Sequence, residues 1–132
     1  MTNVKPLFKR LLLLSFLVGF VIIAAIPVGA ASWNVWSQGD CAGGYPKGAS
    51  TLSWSGYSSS DSGSSWGWLW YWTGSSWSQR ASGFGSASGS TNAAVANTVA
   101  AHQTGNWTQT GGHTATFFSG QRNSQGNIFS CP

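Results

Sequence analysis

A tryptophan stands at every second position of the segment Trp66–Trp72, which reads Trp-Gly-Trp-Leu-Trp-Tyr-Trp. Side chains alternate between the two faces of a β-strand, so a strand here places Trp66, Trp68, Trp70 and Trp72 on one face. A row of indoles forms either the centre of a hydrophobic core or an exposed aromatic surface. The segment therefore constrains the fold first, and the function through it.

Cross-strand pairing favours the core. The segment Thr73-Gly74-Ser75-Ser76 predicts a hairpin turn. If Trp72 pairs with Trp77 across this turn, Trp68 pairs with Ala81 and Trp66 pairs with Gly83. Small neighbours leave room for the indole rings to lie across the sheet. The residues predicted to form this core ladder are Trp66, Trp68, Trp70, Trp72 and Trp77.

The amino-terminal segment has the features of a secretory signal peptide. Basic residues among the first ten precede the apolar stretch Leu11–Ile26, and Pro27 and small residues follow it. This order of basic, apolar and small residues is typical of a cleaved export signal. We predict a signal peptide over residues 1–31 and a single secreted, extracellular domain over 32–132, with no stable membrane span after cleavage. The alternative is an uncleaved membrane anchor.

Charge is sparse once the signal is removed. The predicted mature domain keeps three basic side chains and two acidic ones, a net charge of +1, and these are Lys47, Arg80, Arg122, Asp40 and Asp61. There is no basic patch to neutralise phosphates, so the sequence argues against nucleic acid as a partner.

The mature domain has two cysteines, Cys41 near its start and Cys131 near its end. An even cysteine count in an exported chain indicates a disulfide, and two cysteines leave one intramolecular pairing. We therefore predict a Cys41–Cys131 bridge that closes nearly the whole domain. Free thiols and pairing between chains are the alternatives.

Richness in Ser, Gly, Thr and aromatic residues predicts an all-β domain with short strands and tight turns. About seven short strands favour a small antiparallel β-sandwich over the alternative, a small β-barrel. The alanine-rich segment Asn92–His102 fits either a helix or a strand, and the β-branched pair Thr98-Val99 favours the strand. Gly111-Gly112 predicts a two-residue hairpin turn.

Catalytic and metal-binding signals are weak. The sequence has no glutamate, and its two carboxylates, Asp40 and Asp61, stand in predicted loops, where such residues are commonly turn formers. His102 and His113 lack a carboxylate or a free cysteine at ligand spacing. We therefore predict no enzyme activity, no catalytic residues, no metal site and no cofactor.

Three functions remain. The first is a non-catalytic module that binds a polysaccharide or the cell envelope through aromatic residues. The second is a self-assembling subunit of an extracellular fibre, sheath or coat, since edge strands would carry few of the lysines that block edge pairing. The third is a toxin or bacteriocin that acts on membranes, for which a charge of +1 gives weak attraction. The binding residues predicted for the first function are Trp33, Trp36, Tyr45 and Tyr57.

Overall fold

Seven β-strands make up most of the described chain. The computed structural model describes residues 30–132, and the predicted signal peptide lies almost wholly outside this range. No helix in the described range is long and apolar enough to cross a membrane. The strands are β1 (Ser32–Ala42), β2 (Tyr45–Ser55), β3 (Ser62–Trp72), β4 (Trp77–Ser88), β5 (Asn92–Val99), β6 (Gly105–Ala115) and β7 (Phe118–Cys131).

The strands form two antiparallel sheets packed as a sandwich. One sheet has the order β1-β2-β5, and the other has the order β4-β3-β6-β7. The Cys41–Cys131 disulfide joins β1 of the first sheet to β7 of the second, across a sequence separation of 90 residues. The predicted all-β sandwich, its strand number and its disulfide are confirmed.

The ambiguous segment Asn92–His102 is a strand for most of its length. β5 covers Asn92–Val99 and pairs antiparallel with β2. Its inward side chains are small, and Ala94, Ala96 and Thr98 are all buried. Alanines that would also suit a helix here serve as small residues on the inner face of a sheet.

The predicted hairpin at Gly111-Gly112 is wrong. Strand β6 runs straight through both glycines, and the chain turns later, at 116–117. Neither glycine has the positive φ that a two-residue turn requires; the β1–β2 hairpin has that geometry at Gly43 and Gly44, with φ of 63° and 82°. At Gly111, a Cβ would lie 2.6 Å from the Cβ of Ser50, so this glycine provides space between the sheets.

Two glycines let the sheets meet closely at one side of the sandwich. Gly83 and Gly85 of β4 face the main-chain carbonyls of Asn97 and Val95 in β5. A Cβ on Gly85 would lie 2.6 Å from the carbonyl carbon of Val95, and closer still to its oxygen. Backbone therefore packs against backbone here, which only glycine allows.

The interior is apolar at its two ends and polar in the middle. One apolar cluster is centred on Leu52 and Trp54, and the other on Leu69 and Trp107. Between them, buried hydroxyl, amide and imidazole groups bond one another, and no buried side-chain nitrogen or oxygen within residues 30–132 lacks a partner. The side chains of this polar network are Ser37, Ser50, Ser65, Thr98, Gln109, His113 and Ser124.

Candidate functional site

The four tryptophans of β3 lie on the outer face of the four-stranded sheet, so the prediction that they form the core is wrong. The buried positions of β3 alternate with them and include Ser65 and Leu69, neither of which has any exposed surface. Trp77, the fifth residue predicted for the core, is 37% exposed. The half-buried residues on the outer face are Trp66, Trp68, Trp70 and Trp72.

The inner face of β3 has no room for indoles. A Cβ on Gly67 would already lie 2.6 Å from the side-chain nitrogen of Gln109, and 3.1 Å from the carbonyl oxygen of Ala96 in the opposite sheet. Large rings fit inside only at the ends of the sandwich, where Trp54 and Trp107 are buried. The spacing between the sheets therefore sends the ladder outward.

A β-bulge accounts for the error in the predicted pairing of β3 with β4. The hairpin begins with the predicted pairs, but the register shifts between Leu69 and Trp70. Beyond the shift, Ala81 pairs with Leu69 and Gly83 pairs with Gly67. Because a shift of one residue exchanges the two faces of a strand, the small residues that predicted burial of the indoles face the core instead.

Contacts with β6 hold the ladder against the sheet. The indole nitrogen of Trp70 donates a hydrogen bond of 2.8 Å to the hydroxyl of Thr110. A Cβ on Gly112 would lie 3.2 Å from the ring of Trp68, so that ring lies over the glycine. Thr108, on the same outer face, is only 4% exposed. These contacts hold the rings of Trp68 and Trp70 against the outer surface of β6.

Aromatic pairs with β4 extend the row at both ends. Trp66 packs against Phe84, and Trp72 packs against Trp77, each with ring centroids 5.3 Å apart. Phe84 is 58% exposed. We call this surface the tryptophan face and define it by Trp66, Trp68, Trp70, Trp72, Trp77 and Phe84.

Uncharged hydrogen-bonding groups border the tryptophan face on both sides. On β4, Gln79 pairs with Trp70 and Ser82 pairs with Trp68. On β7, the side-chain amide of Gln121 donates a 2.8 Å hydrogen bond to the side-chain oxygen of Asn123. These border groups are Gln79, Ser82, Thr110, Gln121, Asn123 and Gln125.

The charged residues of the described chain lie away from this face. Lys47 and Asp40 belong to the other sheet, and Asp61 lies in the loop before β3. The guanidinium of Arg80 lies over the ring of Tyr71, and that of Arg122 lies near the β1–β7 edge, over an indole. The tryptophan face thus combines aromatic rings, amides and hydroxyls without formal charge.

The structure does not bring the four predicted binding residues together. Trp33 packs against Phe118 at 4.8 Å, while Trp36 lies on the outer face of the three-stranded sheet. Tyr45 is 52% exposed at the tip of the β1–β2 hairpin, and Tyr57 stacks on a phenylalanine of the β6–β7 turn. By strand alternation, Trp36 and Tyr45 lie on the same face of the three-stranded sheet as a surface depression.

The titratable groups considered for chemistry are dispersed. Asp61 accepts hydrogen bonds from the hydroxyl of Thr116 and the main-chain nitrogen of Ser58, which lower its pKa. His102 is exposed, and its ring bonds a main-chain oxygen. Within residues 30–132, no group of three or more histidine, cysteine or acidic residues gathers as metal ligands would.

His113 belongs to the buried polar network. Its Nδ1 lies 2.9 Å from the hydroxyl of Ser65, and its Nε2 lies 2.7 Å from the hydroxyl of Ser124. The Ser65 hydroxyl also donates to the carbonyl of Ala94, and the Ser124 hydroxyl lies 2.7 Å from that of Ser37. Burial disfavours the charged imidazolium and so lowers the pKa of His113.

This burial predicts a pH-dependent stability. As the pH falls below about 6.5, His113 binds a proton in the unfolded chain before it does so in the folded chain, because burial lowers its pKa in the folded state. The contribution of His113 to the free energy of unfolding should therefore be complete above about pH 6.5. Below that pH it should decrease, by no more than about 1.4 kcal/mol per pH unit. Urea denaturation between pH 5 and 8 measures the slope, in a range where Asp61 stays ionised.

A substitution at His113 isolates its contribution. His113→Gln should flatten the pH dependence of the free energy of unfolding. Equal slopes for the wild type and His113→Gln would show that His113 keeps the same pKa in the folded and unfolded chain.

Comparison with known proteins adds no family to this description: no protein-family model matches the chain, and no curated protein sequence matches it significantly.

Proposed function

We propose that the protein is a non-catalytic module that binds a neutral polysaccharide on the tryptophan face. The observation that carries the proposal is the row of half-buried indoles on the outer side of the sheet, bordered by amides and hydroxyls. Indole faces stack on the apolar faces of sugar rings and remove apolar area from water. Amide and hydroxyl groups beside them can bond the sugar hydroxyls.

The dimensions of the face favour an extended chain as the ligand. Successive tryptophans on one face of a strand are separated by about 6.8 Å, so the row spans roughly 20 Å from Trp66 to Trp72. It is a ridge along β3 and not an enclosed pocket. A linear polysaccharide lying along the strand would contact several rings at once.

Other occupants suit this surface less well. Attachment to an anionic membrane would be strengthened by basic side chains, and within residues 30–132 these lie elsewhere: Lys47 on the other sheet, and Arg80 and Arg122 over other aromatic rings. Packing against a second copy would bury the amides of the border, and each would then need a hydrogen-bond partner in the opposite copy. A hydroxylated ligand supplies both apolar faces and hydrogen-bond partners.

The proposal is tested by removing one ring from the middle of the row. Trp68→Ala should reduce retention on insoluble cellulose, chitin or purified cell wall, whichever binds the wild type, by about tenfold in affinity. Trp33→Ala is the matched control, because Trp33 is another solvent-accessible tryptophan, 38% exposed, that packs against Phe118 and not on the tryptophan face. Equal losses in both variants, or no binding by the wild type, would contradict the proposal.

A further inference from the structure

The opposite side of the sandwich carries a second polar feature. A shallow depression of about 430 Å³ opens on the three-stranded sheet. This volume lies at the lower end of the range typical of small-ligand sites. Its lining includes Gln38, Asp40, Lys47, Ala49 and Asn97 of the three-stranded sheet, with Asn127 of the edge strand β7 beside them.

The strand register explains why the surface dips here. Ala49 of β2 pairs with Gln38 of β1 on one side and with Asn97 of β5 on the other. A methyl group between two longer amide side chains leaves a hollow with hydrogen-bonding walls. In the next pair on the same face, two residues further along β1, Asp40 faces Lys47. A carboxylate and an ammonium group therefore lie at this end of the hollow.

An aromatic residue lies beyond Gln38 on the same sheet face, next to the residues that line the depression. Trp36 precedes Gln38 by two residues, so it lies on the same face, about 6.8 Å along β1. Its indole is 37% exposed. Thr51, its partner on β2, is only 6% exposed although it lies on the outer face, because Trp36 and Val95 flank it.

We propose that Trp36 and this depression form a second saccharide site, which makes the protein bivalent. A sugar ring stacked on Trp36 would place hydroxyls toward Gln38 and Asn97, while Asp40 and Lys47 can accept from and donate to further hydroxyls. The inference rests on the proposed function for the class of ligand, but on different residues. Because the two sites lie on opposite outer faces, one molecule can bridge two polysaccharide chains.

Bridging gives the second site a measurable consequence. When two weak sites engage a polymer with many equivalent units, the second contact forms at a high effective concentration. The wild type should therefore make a solution of soluble hydroxyethyl cellulose or glycol chitin turbid. A variant that lacks either site should bind without producing turbidity.

The experiment is calorimetric titration with cellohexaose and chitohexaose, with turbidity as the second readout. We expect two sites per chain in the wild type, and one in Gln38→Ala/Asn97→Ala and in Trp68→Ala. Ser53→Ala is the matched control on the same outer sheet face, since Ser53 lies away from the depression. Thermal unfolding checks that each variant is folded.

The outcomes separate the two proposals. One site in the wild type that Trp68→Ala removes and Gln38→Ala/Asn97→Ala leaves intact would overturn the second site and support the tryptophan face. The reverse pattern would support the second site and overturn binding on the tryptophan face. If the wild type binds neither oligosaccharide, the second site does not exist and the inference is overturned.

Discussion

Reduction of the Cys41–Cys131 disulfide is expected to lower the free energy of unfolding by about 4–5 kcal/mol. The bridge closes a loop with a sequence separation of 90 residues, so it removes much of the conformational freedom of the unfolded chain. Small domains are commonly stable by about 5–15 kcal/mol in total. A loss of this size would leave the reduced domain only marginally folded.

Two features of the fold make the disulfide more important than its loop length alone. It joins the edge strand β1 of one sheet to the edge strand β7 of the other, so it ties the two layers together. The middle of the interior is polar, and only small apolar clusters lie at its ends. A domain of this size with limited apolar burial has little other stability in reserve.

Urea denaturation of the oxidised and the reduced protein measures the effect. Cys131 is only 2% exposed, so the bridge should be reduced in the unfolded state and the chain then refolded in reductant. Reductant should have no effect on Cys41→Ala/Cys131→Ala, which is the control for effects of the reagent. Equal unfolding midpoints for the oxidised and the fully reduced wild type would contradict the prediction.

The sequence predicts the class of fold because its signals are local. Alternating side chains, turn residues and a cysteine pair are readable without knowing which strands meet. They predict the antiparallel sandwich, its seven strands and its disulfide, all of which the structure shows. The β-branched pair Thr98-Val99 likewise favours a strand in the ambiguous segment Asn92–His102, and β5 covers Asn92–Val99.

The position of the tryptophan face is not readable in this way, because it depends on a bulge and on the spacing between sheets. A single register shift between Leu69 and Trp70 reverses the pairing argument for every indole beyond it. The sequence signal for an outward position is the glycine content of β3 itself, at Gly67, and of its neighbour β4, at Gly83 and Gly85. If these glycines mark close contacts between the two sheets, the interior has no room for indoles.

Polar residues that border the tryptophan face are also missed by sequence reasoning. Gln125 and Asn123 lie far from the ladder along the chain and reach it only because β7 pairs with β6. The Gly111-Gly112 pair suggests a turn, although Gly112 in fact makes room for the ring of Trp68. Glycine thus signals turns and close packing alike, and the sequence does not distinguish the two.

The close approach of β4 and β5 gives the second large expected effect. Gly85→Ala should lower the free energy of unfolding by about 3 kcal/mol, at the upper end of the range for overpacked cores. The new Cβ would meet the main-chain carbonyl of Val95, which cannot rotate away as a side chain can. The strands would have to separate, and contacts between the sheets would weaken along the whole edge.

A second glycine of β4 packs against the backbone of β5. Gly83 faces the carbonyl of Asn97 in the same manner, so Gly83→Ala/Gly85→Ala would place two methyl groups between the same pair of strands. Since both substitutions force the same displacement, their effects should not add fully. We still expect the double variant to be largely unfolded at 37 °C if the disulfide is also reduced.

Chemical denaturation of Gly85→Ala, followed by tryptophan fluorescence, tests this packing. Ser86→Ala is the matched control, because Ser86 is the next residue of β4 and is exposed on the opposite, outer side. It should change stability by no more than about 0.5 kcal/mol. If Gly85→Ala behaves like Ser86→Ala, β4 and β5 are further apart than the structure places them. The interior would then have room for larger side chains, and the spacing between the sheets would not explain why the indoles lie outside.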